Sequence, residues 1–383
     1  RFKTWNPKEQ YFGRLQYKLM RKSNNLRIFY DSYYEKITNL GYPRLPYYET
    51  AFDDYYYTRR NNFGIDFKYN FSDNENLSFL SSYNNYNRRK NTYFNDLTTL
   101  NQIITDNDSD QDTSSFYLLM NKLVFSSFKF EKINYQLGFD SKIEYAQGER
   151  IDNNERKLGD HAIYFSSKWS PSSLFAFKPA LRLSYNSKFK VPIIPSLNMI
   201  LKKNQYSFRF SYAKGFRSPS LKELFFEFVD INHNIVGNRN LQSENSDNFQ
   251  INLDFEERFN DFKFELGTKL FYNNIKNLIT LAQSPSTTEY TYFNLGLYKT
   301  KGLSANLNLS TEKLNFSLSA SNTGRYNDLS EQGNVEDYSY STALSSSLNY
   351  SFKKYYTTAS LYFNYTGKLP VFYKDSTEEI IQS

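Results

Sequence analysis

The 383-residue chain contains no cysteine, two histidines (His161 and His233), two tryptophans and three methionines. The lack of cysteine excludes disulfides and fits a cell-envelope protein that does not rely on them, although many cytosolic chains share it. No stretch approaches the ~20 consecutive apolar residues that a membrane helix requires. Nor is there a concentrated basic run. Lys and Arg are scattered through turns and loops, so the net charge of +7 does not point to a nucleic acid. An enzyme would need a nucleophile and base, or paired carboxylates, fixed on rigid elements. His161 beside Asp160 comes with no recognisable nucleophile motif, and the chain is not read as an enzyme.

Aromatic residues, by contrast, are abundant: 35 Tyr and 35 Phe. They fall in runs that alternate apolar and polar. Phe249, Ile251, Leu253 and Phe255 point one way, residues 256–261 turn, and Phe262, Phe264 and Leu266 point back. Leu303, Ala305, Leu307 and Leu309 do the same across 310–313 into Leu314, Phe316, Leu318 and Ala320. Residues two apart on a strand share a face, so each hairpin has one apolar and one polar side. Eight short turns rich in Asn, Asp, Ser and Lys recur near 20–25, 72–76, 131–134, 170–174, 202–205, 256–261, 310–313 and 352–355. Longer polar segments, at 35–55, 92–114, 147–159, 187–194, 214–246, 278–289 and 325–338, separate them. Eight hairpins imply about sixteen strands. Short connections at one end and long ones at the other predict an all-β, antiparallel, up-and-down transmembrane β-barrel, with Tyr and Phe girdling the membrane interfaces. Mean hydropathy of −0.70 agrees, because only alternate residues meet lipid. A soluble sandwich would not keep every short turn at one end. The acidic run from Asp106 to Asp112 is read as a solvated loop, since its spacing matches no known calcium loop.

Residues 192–246 differ from the rest. Gly215-Phe216-Arg217-Ser218-Pro219-Ser220 closes a strand, and a long loop leads to Gly237-Asn238-Arg239-Asn240-Leu241, then Glu244 and Ser246. Pro219 removes a ladder donor, so the strand must stop there, and Gly215 is expected to supply a backbone conformation that other residues resist. Downstream stand Asn277-Leu278-Ile279 and Asn294-Leu295-Gly296, with Gly302 leading a strand. In order and spacing these motifs resemble the TonB-dependent outer-membrane receptors, although Ser218 replaces the usual Ala and Arg239 the usual Pro. Residues 57–62 and 89–93 also look like receptors of this kind from Bacteroidetes-type bacteria.

The resemblance implies a barrel of about 22 strands around a plug, in the outer membrane of a Gram-negative bacterium. Its partners would be membrane lipid, an inner-membrane TonB–ExbB–ExbD complex acting through the plug, and a scarce metal-chelate ligand; no resident cofactor is required. The chain opens on Arg1-Phe2-Lys3 and ends without a closing aromatic strand, so residues 1–383 are read as a partial barrel with plug and final strands absent. Haem or a ferric siderophore ranks first as ligand, ahead of cobalamin; a passive porin and a surface adhesin are the other readings. The ligand-binding candidates are His233, Arg217, Phe226, Phe228 and Asn238. His233 doubles as a candidate haem-iron ligand, because a neutral imidazole nitrogen can ligate iron; a loop histidine bonded to Asn232 or Asn234 is the plainer alternative. Arg217 and Glu223 are expected chiefly to organise strand ends.

Overall fold

The computed structural model describes residues 6–107, 110–229, 234–283, 289–328, 338–369, 372–374 and 380–382. Hydrogen bonding joins β1 (Lys8–Met20) to β2 (Asn24–Leu40), followed by β3 (Thr50–Ser72), β4 (Glu75–Asp96) and the short β5 (Gln102–Ile104). Next come β6 (Asp112–Ser127), β7 (Ile133–Gly148), β8 (Glu155–Trp169), β9 (Phe175–Asn186), β10 (Ile194–Lys203) and β11 (Tyr206–Arg217). After a single helical turn, α1 (Leu221–Phe225), two short strands follow, β12 (Glu227–Val229) and β13 (Asn234–Val236). The wall resumes with β14 (Glu244–Phe259), β15 (Phe262–Gln283), β16 (Tyr290–Thr311), β17 (Leu314–Asn327), β18 (Ser339–Phe352) and β19 (Thr357–Thr366). The three-residue strands β20 (Phe372–Lys374) and β21 (Ile380–Gln382) complete a sheet of 21. Setting aside the five three-residue strands leaves sixteen long ones among the described residues, all antiparallel to their wall neighbours.

All eight expected hairpins are present. Asn204 and Asn260 take left-handed φ values of 53° and 43° in two of the two-residue reversals, a conformation Asn tolerates better than branched residues. The long-loop end differs from expectation. Strands run further into the segments read as loops, with β2 reaching Leu40, β4 reaching Asp96 and β15 reaching Gln283. Each extension pairs along its length with a neighbour, which satisfies backbone groups whatever the side chains.

Register explains the wall. Across eight strands one row reads Ile133, Trp169, Phe177, Met199, Phe210, Ile251, Leu270 and Leu303. On the other side Leu15, Tyr30, Phe63, Tyr83 and Leu119 line up, all exposed. One residue along, the rows turn polar: Arg14, Asp31, Asn62 and Asn84, or Arg209, Asn252, Lys269, Ser304 and Ser321. The apolar rows face lipid and the polar rows face the lumen. The accessible surface of 24431 Å² also exceeds the roughly 16,000 Å² of a compact soluble chain of this mass. Buried apolar clusters sit instead at the long-loop end, where Leu221 joins Ala146, Ile151 and Leu158, and Leu224 joins Leu241 and Ile279.

A strap across the barrel mouth as candidate functional site

Those clusters are built by the segment after β11. Pro219 ends the strand as expected, and Ser220 caps α1. The Ser220 hydroxyl accepts from Glu223 N–H at 3.3 Å, and the Glu223 carboxylate accepts from Ser220 N–H at 2.7 Å, a reciprocal capping box. Leu221 and Leu224 turn inward from this helix and are buried. The same Glu223 carboxylate receives Arg217 Nη1 at 2.9 and 3.0 Å. Arg217 Nη2 donates to Glu244 at 2.6 Å, and Glu244 also accepts from Ile279 N–H at 2.8 Å. One guanidinium therefore ties together the end of β11, α1 and the start of β14, and through Glu244 it reaches β15.

The Gly-Asn motif completes the fastening. A side chain at Gly237 would collide with backbone atoms of Leu224 to Phe226, so only glycine lets the return segment lie against the helix end. Asn238 N–H donates to Glu223 O at 2.8 Å, and its side-chain amide donates to Tyr292 O at 2.8 Å. Gln242 N–H donates to Asn294 Oδ1 at 2.8 Å, while Asn294 Nδ2 donates to Gln242 O at 3.1 Å and Asn277 O at 2.7 Å. Residues 218–229 and 234–243 thus form a strap. It docks on the inner rim of β6 to β8 on one side and of β15 and β16 on the other. Gly215 serves differently from expectation. It lies in ordinary extended backbone, and its missing side chain leaves room for the Ser246 hydroxyl, with which a Cβ would collide.

The candidate residues therefore separate. Arg217 and Asn238 hold the strap. Phe226 bridges Ile151 and packs edge-on against Phe116 at 5.3 Å between ring centres. Phe228 falls on β12, paired with Ile235, and its side chain is not described. His233 lies outside the described residues. His161 faces the lipid side with Ser141 Oγ 3.0 Å from Nδ1, whereas Asp160, pointing the other way, accepts from Asn186. Among the described residues no carboxylate is hydrogen-bonded to that Ser–His pair.

A second group beside the strap was not foreseen. Asp152 is a nearly buried carboxylate that accepts from Arg156 at 2.5 Å and is also paired with Arg239. Burial opposes its ionisation, but the hydrogen bond and charge of Arg156, joined by Arg239, prevail and hold its pKa below the ordinary 3.8. The Phe225 ring lies under Arg156 at 4.8 Å and Lys188 at 4.5 Å; Lys188 also lies over Phe189 at 5.6 Å. Burial, and next the charge of Arg156, lower the pKa of Lys188 below its ordinary value. Arg156 Nε is buried without a hydrogen-bond partner. Three cations thus share one carboxylate on a platform of two phenyl rings at the mouth. Such a group can bind an anion with aromatic or planar surface. The only sequence signal was a cation beside an aromatic at Lys188-Phe189, because the others are far apart along the chain.

A family model described as "TonB dependent receptor-like, beta-barrel" matches residues 4–379. Over 219 residues the chain is 25% identical to a probable hemoglobin and hemoglobin-haptoglobin-binding protein of Haemophilus influenzae, a match covering 52% of this chain and 18% of that protein. Among solved structures it is similar to the FrpB iron transporter of Neisseria meningitidis, with TM-score 0.63, 13% identity, and 97% of this chain and 62% of that one covered. The siderophore receptor PirA of Pseudomonas aeruginosa gives TM-score 0.53 at 15% identity, covering 94% and 72%. The ferric-catecholate import receptor Fiu of Escherichia coli K12 gives 0.59 at 10%, covering 91% and 63%.

Proposed function

Because the chain belongs to the TonB-dependent receptor family, we propose that it forms the wall of an outer-membrane receptor. In this reading the protein imports haem or a ferric siderophore with energy delivered from the inner membrane. The short turns then face the periplasm, and the strap faces the outside, where ligand arrives. The single observation that carries the reading is the strap, hung across the mouth on a fixed guanidinium clamp beside a surplus of cations over phenyl rings. Haem carries anionic propionates on a planar ring, and ferric catecholates carry anionic charge beside aromatic rings, so either suits that platform. The names of the similar proteins, a probable hemoglobin-binding protein, an iron transporter and a ferric-catecholate import receptor, support the same ligand class.

Among the described residues β1 and β19 each pair with one neighbour. An unpaired ladder is costly in hydrocarbon, so in this reading both edges find partner strands in the working barrel, and a plug answering to the TonB–ExbB–ExbD complex is proposed from the family membership alone. The whole receptor in energised cells should accumulate iron supplied as haem or a ferric chelate, and collapse of the proton gradient should abolish uptake. Uptake that survives the collapse would indicate a porin; binding without uptake would indicate an adhesin. For haem, Soret absorbance of native protein and His233→Ala decides the histidine's role, and an unchanged spectrum and affinity removes it as ligand.

A further inference from the structure

The lipid-facing side of β2 to β4 changes character along its length. From the short-turn end β3 presents Phe71, Tyr69, Phe67, Ile65 and Phe63 outward, and β4 presents Leu77, Phe79, Ser81 and Tyr83. A tilted strand crosses the hydrocarbon in ~9–11 residues. The apolar series on β3 ends after such a length, and Asn61, Arg59, Tyr57 and Tyr55 follow. Arg89 stands opposite Tyr57, Tyr34 opposite Arg59, and Lys36 opposite Tyr57, so cations and phenols alternate like a checkerboard. Arg59 lies over Tyr34 at 5.8 Å, Arg89 over Tyr57 at 5.1 Å and Lys36 over Tyr55 at 5.2 Å.

Unlike several other wall arginines, Arg59 and Arg89 pair with no carboxylate among the described residues. Elsewhere in the wall Arg14 pairs with Asp31, Arg27 with Asp66 and Arg182 with Asp140. On the same lipid-facing side, Lys36 has Glu9 at 3.7 Å and Lys214 has Asp247 at 3.6 Å. Arg59 and Arg89 are exposed and lie over tyrosine rings, with no carboxylate partner among the described residues. At the level where hydrocarbon gives way to headgroups, a guanidinium without a carboxylate is best satisfied by a phosphate, which accepts its paired N–H groups, while phenols suit the same depth.

We propose that Arg59 and Arg89, framed by Tyr34, Tyr55 and Tyr57, bind the phosphorylated headgroup of a membrane lipid in the outer leaflet. This rests on the barrel and its orientation but not on the iron-chelate reading. The test uses the whole purified protein in mixed micelles of a neutral detergent carrying either diphosphorylated lipid A or its phosphate-free counterpart, with bound lipid counted by native mass spectrometry. Wild type should retain the phosphorylated form selectively. Arg59→Gln with Arg89→Gln should weaken retention roughly thirty-fold, whereas Lys214→Gln should not change it. If the double glutamine variant fails to fold, judged by heat-modifiable gel mobility, Arg59→Lys with Arg89→Lys takes its place and should show a smaller loss. Equal retention of both lipid forms by wild type, or unchanged retention in the folded variant, would overturn the site. Displacement of the lipid by inorganic phosphate at matched concentration would overturn its assignment to a lipid headgroup.

Discussion

Two arginine-rich places at the mouth differ in how their charge is used. At the end of β11, Arg217 meets two carboxylates, Glu223 and Glu244, and both also accept backbone N–H groups. Around Asp152, three cations share one carboxylate. The first arrangement is saturated and fastens the fold; the second has charge and a buried Arg156 donor left over for a ligand. Arg217 of the first motif is therefore structural, while of the ligand-ready cations Arg239 belongs to the second motif and Arg156 and Lys188 to none. The balance of charge is opposite in the two places, one cation to two carboxylates in the first and three cations to one carboxylate in the second.

The largest expected effect comes from breaking the saturated side. Arg217→Ala leaves two carboxylates facing each other at the strap's base. Amide exchange in α1 and in residues 237–241 should then accelerate about tenfold to a hundredfold, as expected for losing charge-assisted hydrogen bonds worth roughly 1.5–3 kcal/mol, with the lower end favoured because Arg217 is partly exposed. Arg217→Lys should rescue little, because one ammonium cannot span both carboxylates with paired N–H groups. Unchanged exchange in either variant would remove the distinction between the two places.

A smaller effect follows from acid. The folded-state pKa of Asp152 lies below its ordinary 3.8, so its contribution to strap docking is complete above that value and is lost as pH falls through the lower folded-state pKa. A spin label at residue 240 should stay immobile at neutral pH and loosen only below pH 3.8, and Asp152→Asn should abolish that transition. Loosening at higher pH would assign the docking to other groups. Smaller still is Gly215→Ala, expected to cost about 1 kcal/mol of barrel stability through the clash with Ser246. Ser246→Ala in the same chain should recover most of it, and a denaturation series on the two single variants and the double variant reads the coupling.

The eight hairpins were legible because alternation and turn chemistry are local: Asn204 and Asn260 announce their reversals within a few residues. The upper ends of β3 and β4 were not, since pairs such as Asp53 with Tyr93 follow no apolar–polar alternation and are held by ladder bonds that a sequence does not display. The motifs marked the strap correctly, yet Gly215 was assigned a backbone role where close packing against Ser246 applies. The cluster of Arg156, Lys188 and Arg239 was hidden because the start of β8, the β9–β10 connection and the strap meet only after the strap folds inward.

The most direct test of the account is the affinity of the whole receptor for an anionic ferric tris-catecholate, in wild type and in Lys188→Gln with Arg239→Gln, across a salt series. The account predicts a loss of about tenfold in the variant, a flattened salt dependence and unaltered amide exchange in α1, which Arg217 and not Arg239 holds. Equal affinity and equal salt dependence in the two proteins would contradict it.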